Sequence, residues 1–151
     1  MIEHIVTIEI DAPLPADFGI DSVHQLITHI LQTEEVEEPW QIGIQFVDDP
    51  TMQSAHVEYM GIDGPTDIMT FPYADEEDVW GDSEAGGDLM ISVDRAAANA
   101  ADAGWSTANE LHFLIAHGLL HLLGWDDHYP ADREAMLARQ HALLASWRSE
   151  G

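Results

Sequence analysis

The chain has 151 residues, about the size of one domain, and 46% of them are apolar, enough to build a core of its own. It has no cysteine, which excludes disulfides and thiolate metal sites together, and no apolar run long enough to span a bilayer. Its 29 Asp and Glu against four Arg and no Lys give a formal net charge of −25, which taken alone argues against a phosphate-rich partner.

The N-terminal MIEHIVTIEID has no basic leader pattern, so a cytoplasmic protein without a membrane association is expected. Residues His4 to Ile10 form a β-branched run that predicts a strand. Ser22 and Gln25 stand at capping-box spacing, and Val23, Leu26, Ile27, Ile30 and Leu31 then recur at helical period to about Glu35. Ile42, Ile44 and Phe46 alternate as a second strand, closed by Asp48-Asp49-Pro50 and a short helix from about Thr51 to Tyr59. Two further strands are expected at Ile68 to Tyr73 and Asp88 to Val93, joined by an acidic, glycine-bearing loop expected to be mobile.

Three helices follow. DRAAANAADAG is alanine-rich and stops at Gly104. Thr107 and Glu110 have capping-box spacing for a helix that runs to near Gly124. The last helix, about Ala131 to Trp147, carries Met136, Leu137, Leu143, Leu144 and Trp147 as an apolar stripe. With no internal repeat and no linker, residues 1–151 read as one domain of the α+β class, a small sheet packed with helices.

The chemistry concentrates in HGLLHLLGWDDH, residues 117–128. His117 and His121 are one helical turn apart on one face, an arrangement in which two imidazoles grip one metal ion. Gly124 then turns the chain back, so that a third ligand from residues 126–128 can close the site. Three protein ligands with one position left for water is the layout of a catalytic zinc site, and nitrogen and oxygen donors without sulfur suit Zn2+. The leucines around the pair make unpartnered polar groups there costly, which favours a site over an ordinary surface pair. In H-E-x-x-H peptidases the residue after the first histidine is the general base, whereas here it is Gly118, which counts against peptide hydrolysis. His4, His24, His29, His56, His112 and His141 read as ordinary core or surface histidines. Trp105, Trp125 and Trp147 read as core or rim, with Trp125 also positioned in the chain to stack a base beside the metal loop.

HGLLHLLGWDDH, together with GPTDIMTFPY (64–73) and GGDLMISV (86–93), resembles the YbeY-type endoribonucleases, the rRNA maturation factors of bacteria. Their pattern H-G-x-L-H-L-x-G-[YW]-D follows P-T-D-x-x-x-F-P and G-D-[IL]-x-[IV]-S in the same order. The resemblance spans essentially the whole chain. It implies an α+β fold on a small mixed four-stranded sheet with a zincin-like site, one Zn2+ per chain, and cleavage of single-stranded RNA. It further implies precursor rRNA as substrate, at the 3′ end of small-subunit rRNA, with the small ribosomal subunit as partner and no DNA.

Two positions depart from the family pattern. Its third metal ligand, a histidine three residues after the glycine, corresponds here to Asp127, with His128 one position later as the rival ligand. The arginine that commonly precedes its Pro-Thr-Asp by five residues is Met60 here. The expected ligands are thus His117, His121 and Asp127. No catalytic side chain is assigned beyond His128 as a candidate proton acceptor. Thr66, Asp67 and Phe71 of the middle motif read first as turn, cap and core residues. Two other functional classes stay open on sequence alone: a zinc hydrolase of peptides or small molecules, and a non-catalytic ribosome-assembly factor with a structural zinc. The acidity reads as a solvated surface suited to a salt-rich cytoplasm, where a short Debye length makes self-repulsion tolerable.

Overall fold

Parallel pairing sets the frame. In the computed structural model, which describes residues 3–61, 66–73 and 85–150, strand β1 (Ile5–Ile10) lies parallel to β2 (Gln41–Val47), with Ile5 opposite Gln41. Such a pair needs a crossover, supplied by helix α1 (Ile20–Thr33). β2 is in turn parallel to β4 (Gly86–Ser92), and β3 (Ile68–Pro72) pairs antiparallel with β4, giving the mixed order β1-β2-β4-β3. The remaining helices are α2 (Asp49–Met60), α3 (Val93–Ala103), α4 (Thr107–Leu122) and α5 (Pro130–Glu150). Pro65 and residues 74–84 of the expected acidic loop lie outside the described residues.

Alternation along each strand divides the sheet's two faces. Ile42, Ile44, Phe46, Leu89 and Ile91 face a core shared with Leu26, Ile27 and Ile30 of α1 and Leu111, Ile115 and Leu119 of α4. Each such side chain contributes roughly 1.5–3 kcal/mol by leaving water. Met90 points the other way and joins Val47, Met52 and Met69 in a small second core under α2.

Helix α4 crosses the main core closely, with glycines on both sides where it meets the sheet. A Cβ on Gly118 would stand 2.7 Å from Leu89 and 3.0 Å from Ile68, and one on Gly87 would stand 2.5 Å from Leu122. Both glycines of the sequence motifs are therefore contact residues.

Local signals locate the helices, with three corrections. Ser22 does not cap α1: the cap position is Gly19, and the Ser22 hydroxyl, one turn inside, bonds the Gly19 carbonyl and the His112 ring. Helix α4 is capped by Ser106, whose Oγ accepts from Asn109 N at 3.1 Å, and not by Thr107. The Glu110 carboxylate instead accepts from Trp105 Nε1 at 3.0 Å, so it is not available to a capping box. On α5, Met136, Leu143 and Leu144 are buried while Leu137, at the edge of that stripe about 20° beyond Leu144, is 40% exposed. No helix among the described residues is long and apolar enough to cross a membrane.

Candidate metal centre

Helix α4 ends in a chain reversal that the sequence announces with Gly124. Trp125 N donates to the Leu120 carbonyl at 2.9 Å and Gly124 N to the His121 carbonyl at 3.0 Å, with Gly124 at φ +102°. This is a Schellman closure, and glycine is needed at its left-handed position. The half-buried Trp125 ring packs against the core that holds Leu120, which pins the reversal. The Trp125 carbonyl is thereby turned back onto His121, whose Nδ1 lies 3.1 Å away.

At the next residue, Asp126 Oδ1 accepts from the His128 backbone N–H at 3.0 Å, a local turn bond that presents Asp127 towards α4. Asp127 Oδ2 lies 3.6 Å from His117 Nε2 and 3.4 Å from His121 Nε2. The two Nε2 atoms are 3.1 Å apart. Among the described residues, His117, His121 and Asp127 form the group whose donor atoms converge closely enough to hold a metal ion. The ring of His128 is exposed and meets Tyr129 edge-on, with centroids 4.8 Å apart, outside that group.

The hydrogen bonds behind the rings decide which nitrogens carry protons. A backbone carbonyl can only accept, so His121 Nδ1 carries the hydrogen it gives to Trp125. Gln140, buried on α5, donates through its Nε2 to the Phe113 carbonyl at 3.4 Å, which fixes its amide so that Oε1 faces His117 Nδ1 at 3.0 Å. His117 Nδ1 is therefore the donor as well. In the neutral rings both Nε2 lone pairs then face each other and a carboxylate, an arrangement of mutual repulsion that a cation relieves. A tetrahedral ion with bonds of about 2.0–2.1 Å would hold its donors about 3.3–3.4 Å apart. The observed separations of 3.1, 3.4 and 3.6 Å bracket that span, so the residues fit such an ion.

The other residues singled out by sequence lie elsewhere. The Asp67 carboxylate accepts from Asn99 Nδ2 at 3.2 Å, and its carbonyl accepts from the Ser92 backbone N–H. Thr66 is half-buried, Phe71 stacks edge-on against Tyr59 and Met60 is exposed at the end of α2. A cavity of about 580 Å³ on the outer face of the sheet is lined by Thr7, Gly43, Phe71, Tyr73 and Asp88 among others, and the histidine pair is not part of its wall. Sequence reading overlooked Gln140. Its signal was available: a polar residue inside the apolar stripe of α5, one turn after Met136 and just before Leu143.

A model of the family described as "Endoribonuclease YbeY" matches residues 13–148. An endoribonuclease YbeY from Salinispora tropica is 39% identical over 153 residues, covering 95% of this chain and 98% of that one. Another from a Roseiflexus species is 37% identical, covering 94% and 92%. The solution structure of TM1509 from Thermotoga maritima shares the fold, with a TM-score of 0.63 at 21% identity over 97% of this chain and 93% of that one.

Proposed function

Since the chain belongs to the YbeY endoribonuclease family, we propose that it is a metal-dependent endoribonuclease that cuts single-stranded precursor rRNA during maturation of the small ribosomal subunit. One Zn2+ per chain is held by His117, His121 and Asp127. The observation that carries this reading is the convergence of two imidazole lone pairs and one carboxylate, with both rings' opposite nitrogens already committed to Gln140 and Trp125.

When bound, the ion supplies Lewis acidity towards water and a phosphate oxygen. The chain's own residues do the rest. Two imidazoles and one carboxylate would leave a bound divalent ion with a net positive charge, suited to attracting a phosphodiester in an otherwise acidic protein. Arg133 adds a second attraction: its Nε donates to the Asp127 carbonyl at 3.3 Å, and among the described residues it makes no ion pair. By contrast, Arg95 is tied to Asp49 and Arg139 to Glu34. His128, on the exposed rim next to Asp127, is the group that can take a proton there.

The peptidase alternative lacks its general base: position 118 is a glycine, and a Cβ there would meet the side chains of Leu89 and Ile68.

The test is incubation of the purified, zinc-loaded protein with single-stranded and duplex forms of a precursor rRNA fragment at about 1 M salt, beside His117→Ala. Cleavage of the single strand, lost in the variant and on chelation, is expected. Cleavage that survives in His117→Ala, or intact RNA in every lane, would overturn the reading.

A further inference from the structure

Gln140 sits where α5 packs against α4, 1% exposed, and both ends of its amide are used on one turn of α4. Its Oε1 accepts from His117 Nδ1, and its Nε2 donates to the carbonyl of Phe113, the residue one turn before His117. A side chain held at both ends cannot rotate to offer its donor to the ring without giving up the Phe113 bond. The ring is thus held in one orientation and one tautomer, with the proton on Nδ1 and the lone pair on Nε2.

We propose that Gln140 is a positioning residue for the metal centre: its buried amide holds His117 as the Nδ1–H tautomer, so that the lone pair faces His121 and Asp127 before any ion arrives. The inference deepens the metal-dependent reading given above and rests on it for the ligand set, yet the tautomer is a property of the ion-free protein. An imidazole without such a partner favours the opposite tautomer in water and must move its proton before Nε2 can ligate. The second imidazole has its own, independent lock in the Trp125 carbonyl. It serves as an internal reference that a change at Gln140 leaves in place.

The experiment uses the full chain. Long-range proton–nitrogen correlation spectra of the metal-free protein, recorded at a pH where the imidazoles are neutral, read the tautomer of each ring. A chelator competition with Zn2+ reads affinity. In the wild type both His117 and His121 are expected as Nδ1–H. In Gln140→Met, similar in length and unable to accept the ring proton, His117 is expected to shift towards Nε2–H while His121 does not. Zinc affinity should fall about 10–100-fold, the usual effect of removing a ligand's outer partner. Gln140→Glu keeps an acceptor for the ring and is expected to keep the tautomer and to bind zinc within about 3-fold of the wild type.

A wild-type His117 found as Nε2–H overturns the proposal without any variant, which covers the case in which Gln140→Met does not fold. A folded Gln140→Met with unchanged tautomer and affinity also overturns it. So does a Gln140→Glu in which His117 loses the Nδ1–H tautomer, since an acceptor at this position would then not set it. Should the tautomer and affinity respond as expected while the loaded protein leaves RNA intact, the positioning role stands and the nuclease reading falls.

Discussion

Helix α4 carries histidines in both its halves, and the structure treats them in opposite ways. His112, in the first half, is buried between Phe18 and Trp147, with ring centroids 5.0 and 4.9 Å away, and its Nε2 meets the Ser22 hydroxyl at 3.0 Å. Burial, helped by the Arg148 charge and opposed by Asp17, pushes it down to about 4, so the ring is neutral and structural. His117 and His121, in the second half, are only half-buried, with their Nδ1 atoms held from behind and their Nε2 atoms converging on Asp127. Residue type and host helix are the same. What differs is whether a ring's outward nitrogen finds a hydroxyl or a second lone pair, and that follows from about 140° of rotation between positions five residues apart.

The sharpest way to break this contrast is to remove one histidine from each half. His121→Ala should lose stoichiometric zinc altogether and melt at a lower temperature in zinc than the wild type, whereas His112→Phe should keep one zinc per chain. Elemental analysis of both proteins decides it, and zinc retained by His121→Ala would erase the distinction.

Acid gives the next largest effect, and it belongs to the first half alone. Above pH 6.5 His112 is neutral folded or unfolded; between pH 6.5 and about 4 the unfolded chain takes up a proton that the folded chain refuses. The stability contributed by the neutral ring is therefore present above pH 6.5 and lost as the pH falls towards 4, by about 3 kcal/mol in all. Denaturant titrations of metal-free protein should show His112→Phe losing that much less than the wild type across this window. Equal losses in the two proteins would mean that the ring is not sheltered.

Within the second half, Asp127 and His128 can be separated by zinc affinity. Asp127→Ala should weaken binding roughly 100-fold, about 2.7 kcal/mol, and His128→Ala should change it by no more than about 2-fold. The reverse ranking would move the third ligand to His128.

The smallest effect should ignore the contrast. Screening the −25 charge between about 0.1 and 1 M salt should stabilise wild type and His112→Phe alike, by about 1 kcal/mol, because it acts on the whole surface. Thermal melts across a salt series test this, and stability that falls with salt would count against salt adaptation.

The contrast also marks where sequence reading works. All four strands and five helices of the described chain fall within a few residues of their periodic signals. The histidine pair was legible because one-turn spacing followed by a helix-stopping glycine is written in adjacent residues. The third member was not settled by spacing, which left residues 126–128 open; a motif count pointed to Asp127, and the Asp126 turn bond supplies the physical reason for its orientation. The misplaced caps share one cause. Ser22 and Glu110 had the right local spacing, but His112, 90 positions from Ser22, and Trp105 compete for them. Gln140 escaped notice because its partner lies 23 positions away on another helix, and one sequence shows no sign of which stripe meets which.

The Gln140 contact also has a meaning in time. Translation delivers α4 and its two imidazoles well before α5, so a nascent chain carries both rings while the amide that orients one of them is still being made. Helix α5 also clasps α1 through Arg139 and Glu34, a contact spanning 105 positions that cannot form until α5 has been made. The order of synthesis thus places the orientation of the His117 ring after the appearance of the ring itself.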